Sequence, residues 1–244
     1  AGLLVRTARS GEREGLPLPA WSLIAGPVWL LLAHVAGAVP GLDGLPAEIQ
    51  SAFTGTALFG LWAASAGIGV AYFVAADVLP DAAFNERLGR IGFWSLTLTW
   101  AWTAGRLLQY GPTQDWIETV PVVFGAGLVV AVLAIAADFA GALQARWSTV
   151  KNSPPLQMAV AGLGFLALTV AAAFVASLRS VSSVVQFTSW ENGVETAALL
   201  GAFTLFAMAG IAQVAAAARD RSWGRWSGRV VVWPVVVGVG IAVF

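Results

Sequence analysis

The chain has 244 residues, 58% of them hydrophobic and only 11% charged, with a mean hydropathy of +0.78. A water-soluble domain of that composition would aggregate, so the sequence is that of an integral membrane protein; basic and acidic residues balance at 13 each, which leaves no cationic excess for nucleic acid. With no Cys, one His and two Met, the chain cannot supply disulfides, iron–sulfur clusters or thiolate metal sites, and it is nearly bare of haem, zinc or copper ligands.

Residues 1–19 are charged and Gly-rich, carry no evident cleavable signal, and read as a cytoplasmic N-terminal segment. A single transmembrane helical domain follows over 20–244. A spanning helix needs about 20 mostly apolar residues, and seven segments qualify: 20–40, 50–76, 88–110, 117–143, 156–178, 193–217 and 229–244. The expected fold is therefore all-α, a seven-transmembrane-helix bundle in the lipid bilayer. The connections PGLDGLP, ADVLPD, YGPTQD, KNSPP and SWENG carry the Pro, Gly, Asp and Asn that stop and start helices. Small residues recur within the spans, as in AASAGIG and AIAADFAGA, which permits close helix approach.

Eleven basic residues fall on one side of these spans: Arg6, Arg9, Arg13, Arg87, Arg90, Arg146, Lys151, Arg219, Arg221, Arg225 and Arg229. Only Arg106 and Arg179 fall on the other, so the positive-inside rule puts the N-terminus in the cytoplasm. The outer loops carry Asp43, Glu48, Asp115, Glu118 and Glu191, with Trp116 and Trp190 where an interfacial aromatic belt would lie. Ionisable groups inside spans are costly and mark candidate sites. Arg106 and Glu195 are the outermost of them, Asp138 lies near the inner end of the fourth span, and His34 near the outer end of the first.

Three blocks, RLGRIGFWSLTLTWAWTAGRLLQYGPTQDW (87–116), WSTVKNSPPLQMAV (147–160) and SVSSVVQFTSWENGVETAALLG (180–201), resemble in order and spacing the catalytic subunit of cbb3-type haem-copper oxidases, relatives of the large subunit of nitric oxide reductases. The resemblance runs from about residue 21 to 244 and corresponds to helices five to eleven of that subunit, so a separate chain supplying the first four helices is one expected partner. It also implies a bacterial-type cytoplasmic membrane.

At every position where the family binds metal, this chain departs from it. The helix-six copper histidine falls on Thr56, the paired histidines of helix seven on Arg106 and Leu107, the cross-linked tyrosine on Trp100, and the two haem ligands of helix ten on Val194 and Thr196. None of these side chains replaces imidazole on iron or copper at neutral pH. The resemblance therefore implies no cofactor and no metal, and no oxygen or nitric oxide reduction by the chain itself. His34 matches a family histidine that is not a ligand, and Asp138 matches a family Asn, which favours a polar packing contact over a proton relay.

A vacated haem pocket would forfeit dispersion contacts, which predicts that Trp100, Leu107, Arg106 and Glu195 fill it, with Arg106 either paired to Glu195 or snorkelling to the outer interface. Two functions follow. One is a catalytically silent scaffold that anchors membrane or cytochrome c-type redox subunits in a respiratory complex, its retained Phe93, Trp94, Trp102, Asp115, Trp116, Trp147, Pro154, Trp190 and Gly193 keeping shape without chemistry. The other is a quinone-binding subunit, with Arg106, Glu195, Asn192, Gln109 and Tyr110 as its polar groups. An ion-coupled transporter is a third class, disfavoured because no internal repeat or broken helix pair is visible.

Overall fold

The computed structural model describes residues 17–219 and 225–243, all of whose regular elements are helices. Residues 1–16 of the expected N-terminal segment lie outside the described residues, as do the side chains of Arg6, Arg9, Arg13, Arg219, Arg221, Arg225 and Arg229. We number the helices α1 (Leu18–Gly37), α2 (Leu45–Val78), α3 (Glu86–Thr99), α4 (Asp115–Leu143), α5 (Trp147–Asn152), α6 (Pro154–Ser177), α7 (Arg179–Val185), α8 (Trp190–Arg219) and α9 (Arg225–Val243).

Five helices, α1, α2, α4, α6 and α8, are long and apolar enough to cross a membrane, so the protein is a multi-pass membrane protein. The other two expected spans take different forms. Segment 88–110 is the 14-residue α3 continued by a 3₁₀ stretch, Trp100–Leu108, and the last segment is α9, whose clearly apolar part is Val232–Ile241. The helix starts follow local chemistry. Proline stands in the first turn of α1, α2 and α6, where its missing N–H costs nothing. The Asn85 carboxamide oxygen caps α3 by accepting from the Arg87 and Leu88 amides, and Asp115 and Glu118 sit in the first turn of α4.

The core runs between α2, α3, α4, α6 and α8 and holds Leu96, Ile135, Leu156, Leu205 and Phe206 almost completely buried. Glycines bring these helices close. A Cβ on Gly67 or Gly162 would lie within 3.0 Å of the Phe206 ring, so that ring is clasped between α2 and α6. α1 is peripheral, with Leu31, Leu32 and Val35 turned outward, and His34 is exposed in its last turn.

The retained aromatic positions are not mainly core residues. Phe93 and Pro154 are buried, but Trp94, Trp102, Trp116, Trp147 and Trp190 are each at least 39% exposed. These five lie at the surface of the bundle and not in its core, although Trp94 packs edge-on against Phe93 and Trp102 stacks on Phe124, with ring centroids 5.4 and 5.5 Å apart. The end of the bundle where α4 finishes is tied by Asp138. Its carboxylate accepts from the Tyr72 hydroxyl of α2 at 2.7 Å and from the Asn85 amide at 2.6 Å, which fixes the α2–α3 connection to α4. Tyr72, Phe84 and Phe139 pack around it with ring centroids 4.7 to 5.6 Å apart. This is the polar packing contact expected of Asp138.

Candidate functional site

Three of the core helices abandon α geometry, and all three do so beside one cavity. α2 is π-helical over Leu58–Ala64, α8 is π-helical over Ala197–Phe203, and the chain after α3 is 3₁₀ over Trp100–Leu108. A nine-residue 3₁₀ run is long for that geometry, and π segments inside α-helices are frequent at functional sites. The cavity holds about 270 Å³ and is lined from α2 by Thr56 and Phe59, from the 3₁₀ stretch by Trp100, Thr103, Arg106 and Leu107, from α6 by Thr169, and from α8 by Val194, Glu195 and Ala198.

Four of the five positions at which the family resemblance led us to expect lost ligands, Thr56, Arg106, Leu107 and Val194, thus meet at one place. The fifth, Thr196, is not among the lining residues; its hydroxyl donates to the Asn192 carbonyl of its own helix. The expectation of a filled pocket is corrected. Trp100 does fill one part, because its indole lies over Gly60, where a Cβ would come within 1.8 Å of the ring, and only about 20 Å³ remains beyond it among Phe59, Leu166 and Phe206. On the other side the space stays open, since Thr56, Val194 and Ala198 are too small to reach across it.

Arg106 is also placed differently from the expected pair with Glu195. Its guanidinium donates to the Glu191 carboxylate of α8, and both side chains are largely buried, at 12% and 21% exposure. Glu195 lines the cavity one turn away but is exposed and makes no ion pair with a described residue. The backbone supplies the reason. A 3₁₀ stretch rises about 2.0 Å per residue against about 1.5 Å in an α-helix, so the run from Trp100 to Arg106 carries the guanidinium about 3 Å further toward the end of the bundle where α8 begins. Glu191, in the first turn of α8, is then within reach.

Gln109 and Tyr110 do not join the cavity. Gln109 is buried and donates to the Ser177 carbonyl at 2.9 Å, tying the end of the 3₁₀ stretch to α6. Tyr110 adopts a left-handed conformation with φ of 63° that ends the 3₁₀ stretch, and its hydroxyl donates to the Arg179 carbonyl at 2.8 Å. Glu118, which sequence reasoning placed only on the outer rim, accepts from the Tyr110 amide and lies 3.8 Å from the Arg179 guanidinium. Two of the acids expected on the outer rim are therefore met by cations of the same chain, Glu191 by the largely buried Arg106 and Glu118 by the exposed Arg179, while Asp43, Glu48 and Asp115 stay exposed.

The donor set around the cavity comprises hydroxyls, one carboxylate and a guanidinium already engaged by Glu191, with no imidazole, thiol or thioether among the lining residues. Among the described residues no group of three or more His, Cys, Asp or Glu is placed to hold a metal ion. Haem or copper as the family binds them does not fit these residues, because their axial and equatorial ligands have to be imidazoles or comparably strong donors.

Residues 2–244 match the family described as cytochrome c and quinol oxidase polypeptide I. The chain is 23% identical over 167 residues to cytochrome c oxidase subunit 1 of Rhodobacter capsulatus, an alignment covering 64% of this chain and 30% of that protein. It is 22% identical over 159 residues to the cytochrome c oxidase subunit 1 homolog of Agrobacterium tumefaciens, covering 65% and 30% of the two, and 25% identical over 118 residues to the bacteroid homolog of Bradyrhizobium diazoefficiens, covering 48% and 22%. The aligned parts amount to less than a third of each relative's length. With its helical bundle, its multiple spans and a family match along nearly its whole length, this chain is an oxidase-like membrane subunit belonging to the cytochrome c and quinol oxidase polypeptide I family.

Proposed function

We propose that this chain is a haem-free, catalytically silent oxidase-like subunit that scaffolds or anchors redox partners in a respiratory electron-transfer complex. The observation that carries the reading is the chemistry at the cavity. Thr56, Arg106, Leu107 and Val194, the residues that the family resemblance sets at its metal-ligand positions, line one space without an imidazole among them, and the cation there is paired with Glu191. What remains for use is shape and surface. The partners are membrane or cytochrome c-type redox subunits, together with a chain that supplies the family's first four helices. The membrane is of the bacterial cytoplasmic type, with residues 1–19 on the cytoplasmic side. Docking takes place on the outer rim, where Asp43, Glu48 and Asp115 remain free to meet a basic surface and Phe187 protrudes at 86% exposure from a left-handed backbone position.

One observation favours a second reading, a quinone site: the cavity is still open and has a carboxylate, Glu195, on its wall. Against it, Gln109 and Tyr110 are bonded elsewhere and Asn192 is exposed and not among the lining residues, which leaves Arg106 and Glu195 from the polar set. The two functions are separated by deleting the subunit and, in parallel, making Glu195→Gln and Arg106→Leu. Under the scaffold reading, deletion disassembles a larger complex on native gels while both variants keep quinone-linked turnover. Variants that assemble but have lost turnover would overturn it in favour of the quinone site. A pyridine haemochrome assay of the chain stripped of partners tests the silent centre, and a haem retained by the chain alone refutes it.

A further inference from the structure

A second and larger space lies at the opposite end of the bundle from the Arg106 cavity. It is an apolar groove of about 590 Å³ between α5, the start of α6 and α9, walled by Val150, Val160, Val232 and Val236 and flanked by Trp147 and Trp233. Both indoles are more than half exposed, and Lys151 stands at the groove beside them. The nearby Arg146 is occupied, since its guanidinium donates to the Ala142 and Asp81 carbonyls at 3.1 Å each. Lys151 forms no ion pair with a described residue, although its backbone carbonyl is held by the Gln157 amide at 2.7 Å.

We infer that this groove is a binding site for an anionic phospholipid, with the headgroup phosphate at Lys151 and an acyl chain lying along the valine wall. Four features select this occupant. Tryptophans at the mouth of a membrane protein's groove prefer the level of the headgroups, where an amphipathic ring has one wet side and one apolar side. Seven of the nine lining residues are apolar, four of them valines, which suits a hydrocarbon chain, and Lys151 and Gln157 are the polar pair. Lys151, the cation among the groove's lining residues, forms no ion pair with a described residue, and a basic pocket between spanning helices has the complementarity an anionic headgroup needs. Finally, α9 meets the rest of the bundle chiefly through α6 and α8, so a chain seated between α9 and α6 would add contact along a thinly packed seam. A second polypeptide on the same groove would need an acid to meet Lys151 and would bury the two indoles in protein.

The test is native mass spectrometry of the detergent-purified protein, in its complex, titrated separately with dioleoylphosphatidylglycerol and dioleoylphosphatidylcholine. The expected result is a phosphatidylglycerol preference of about fivefold, the effect of one lysine near an anionic headgroup. Lys151→Gln removes the preference and leaves phosphatidylcholine binding as it was, Lys151→Arg keeps it, and Trp233→Ala weakens both lipids. Both substituted side chains are exposed, so the variants are expected to fold. Equal affinity for the two lipids, or an unchanged preference in Lys151→Gln, overturns the site. So does a photoreactive residue at position 236 that captures a polypeptide instead of a phospholipid.

Discussion

The two ends of α3 solve the same problem, a polar group inside an apolar bundle, in opposite ways. At the Asp138 end the helices are regular, the carboxylate is fully buried among Tyr72, Phe84 and Phe139, and two donors meet it within 2.7 Å. At the Arg106 end three helices change pitch, about 270 Å³ stays open, and the charge is met by one carboxylate near the edge of the bundle. The first end is a clamp that holds α2, α3 and α4 in register. The second gathers the irregular backbone of three elements around a cavity lined by no imidazole, thiol or thioether. Stability and any residual binding capacity are therefore separated along the bundle, and substitutions at the two ends should differ in kind as well as in size.

The largest expected effect is at the clamp. Asp138→Ala strands the buried Tyr72 hydroxyl and loses the bond from the Asn85 amide, and should cost about 4 kcal/mol, since an unpaired buried donor costs about 1–3 kcal/mol and a hydrogen bond to a charged group contributes about 1.5–3 kcal/mol. Thermal unfolding in detergent measures it, and a loss below that of Tyr72→Phe, which removes only one donor, would show that Asp138 is no clamp. Next comes the ion pair. Glu191→Ala should cost about 3 kcal/mol by leaving a mostly buried guanidinium unmatched, and adding Arg106→Leu should restore part of it. Additive losses in that cycle would mean that the two side chains act independently.

Gly60→Ala should cost about 2 kcal/mol, because the new methyl displaces the Trp100 indole, and should at the same time alter the cavity, read as a change in the fluorescence of that ring on adding a hydrophobic probe. The smallest effect is at the residue that looked most functional. Glu195→Ala should change stability by less than about 0.5 kcal/mol, as befits an exposed carboxylate outside any ion pair with described residues. A loss comparable to that of Glu191→Ala would erase the distinction between the two acids.

Much of this was legible in the residues alone. Apolar runs of spanning length determine that helices form, because in lipid every backbone group has to be satisfied within its own segment, and the long helices fall where those runs lie. Family spacing likewise determined that Thr56, Arg106, Leu107 and Val194 would converge, because rigid helices preserve relative position even after the side chains change. Three things were decided only by the tertiary structure. Glu191 and Glu195 are four residues apart on one helical face, so the sequence offers Arg106 two equivalent partners. The choice fell to the 3₁₀ pitch of Trp100–Leu108, which depends on how α4 and α2 pack against it and not on local propensity. Whether the cavity closed depended on the summed volume of side chains from four elements, which no single segment encodes. And the outward direction of Trp94, Trp102 and Trp116 followed from how their elements are rotated against one another, with Gly92 seated on Ile135 and Gly105 on Ile117 and Pro121, contacts between elements that no single segment encodes.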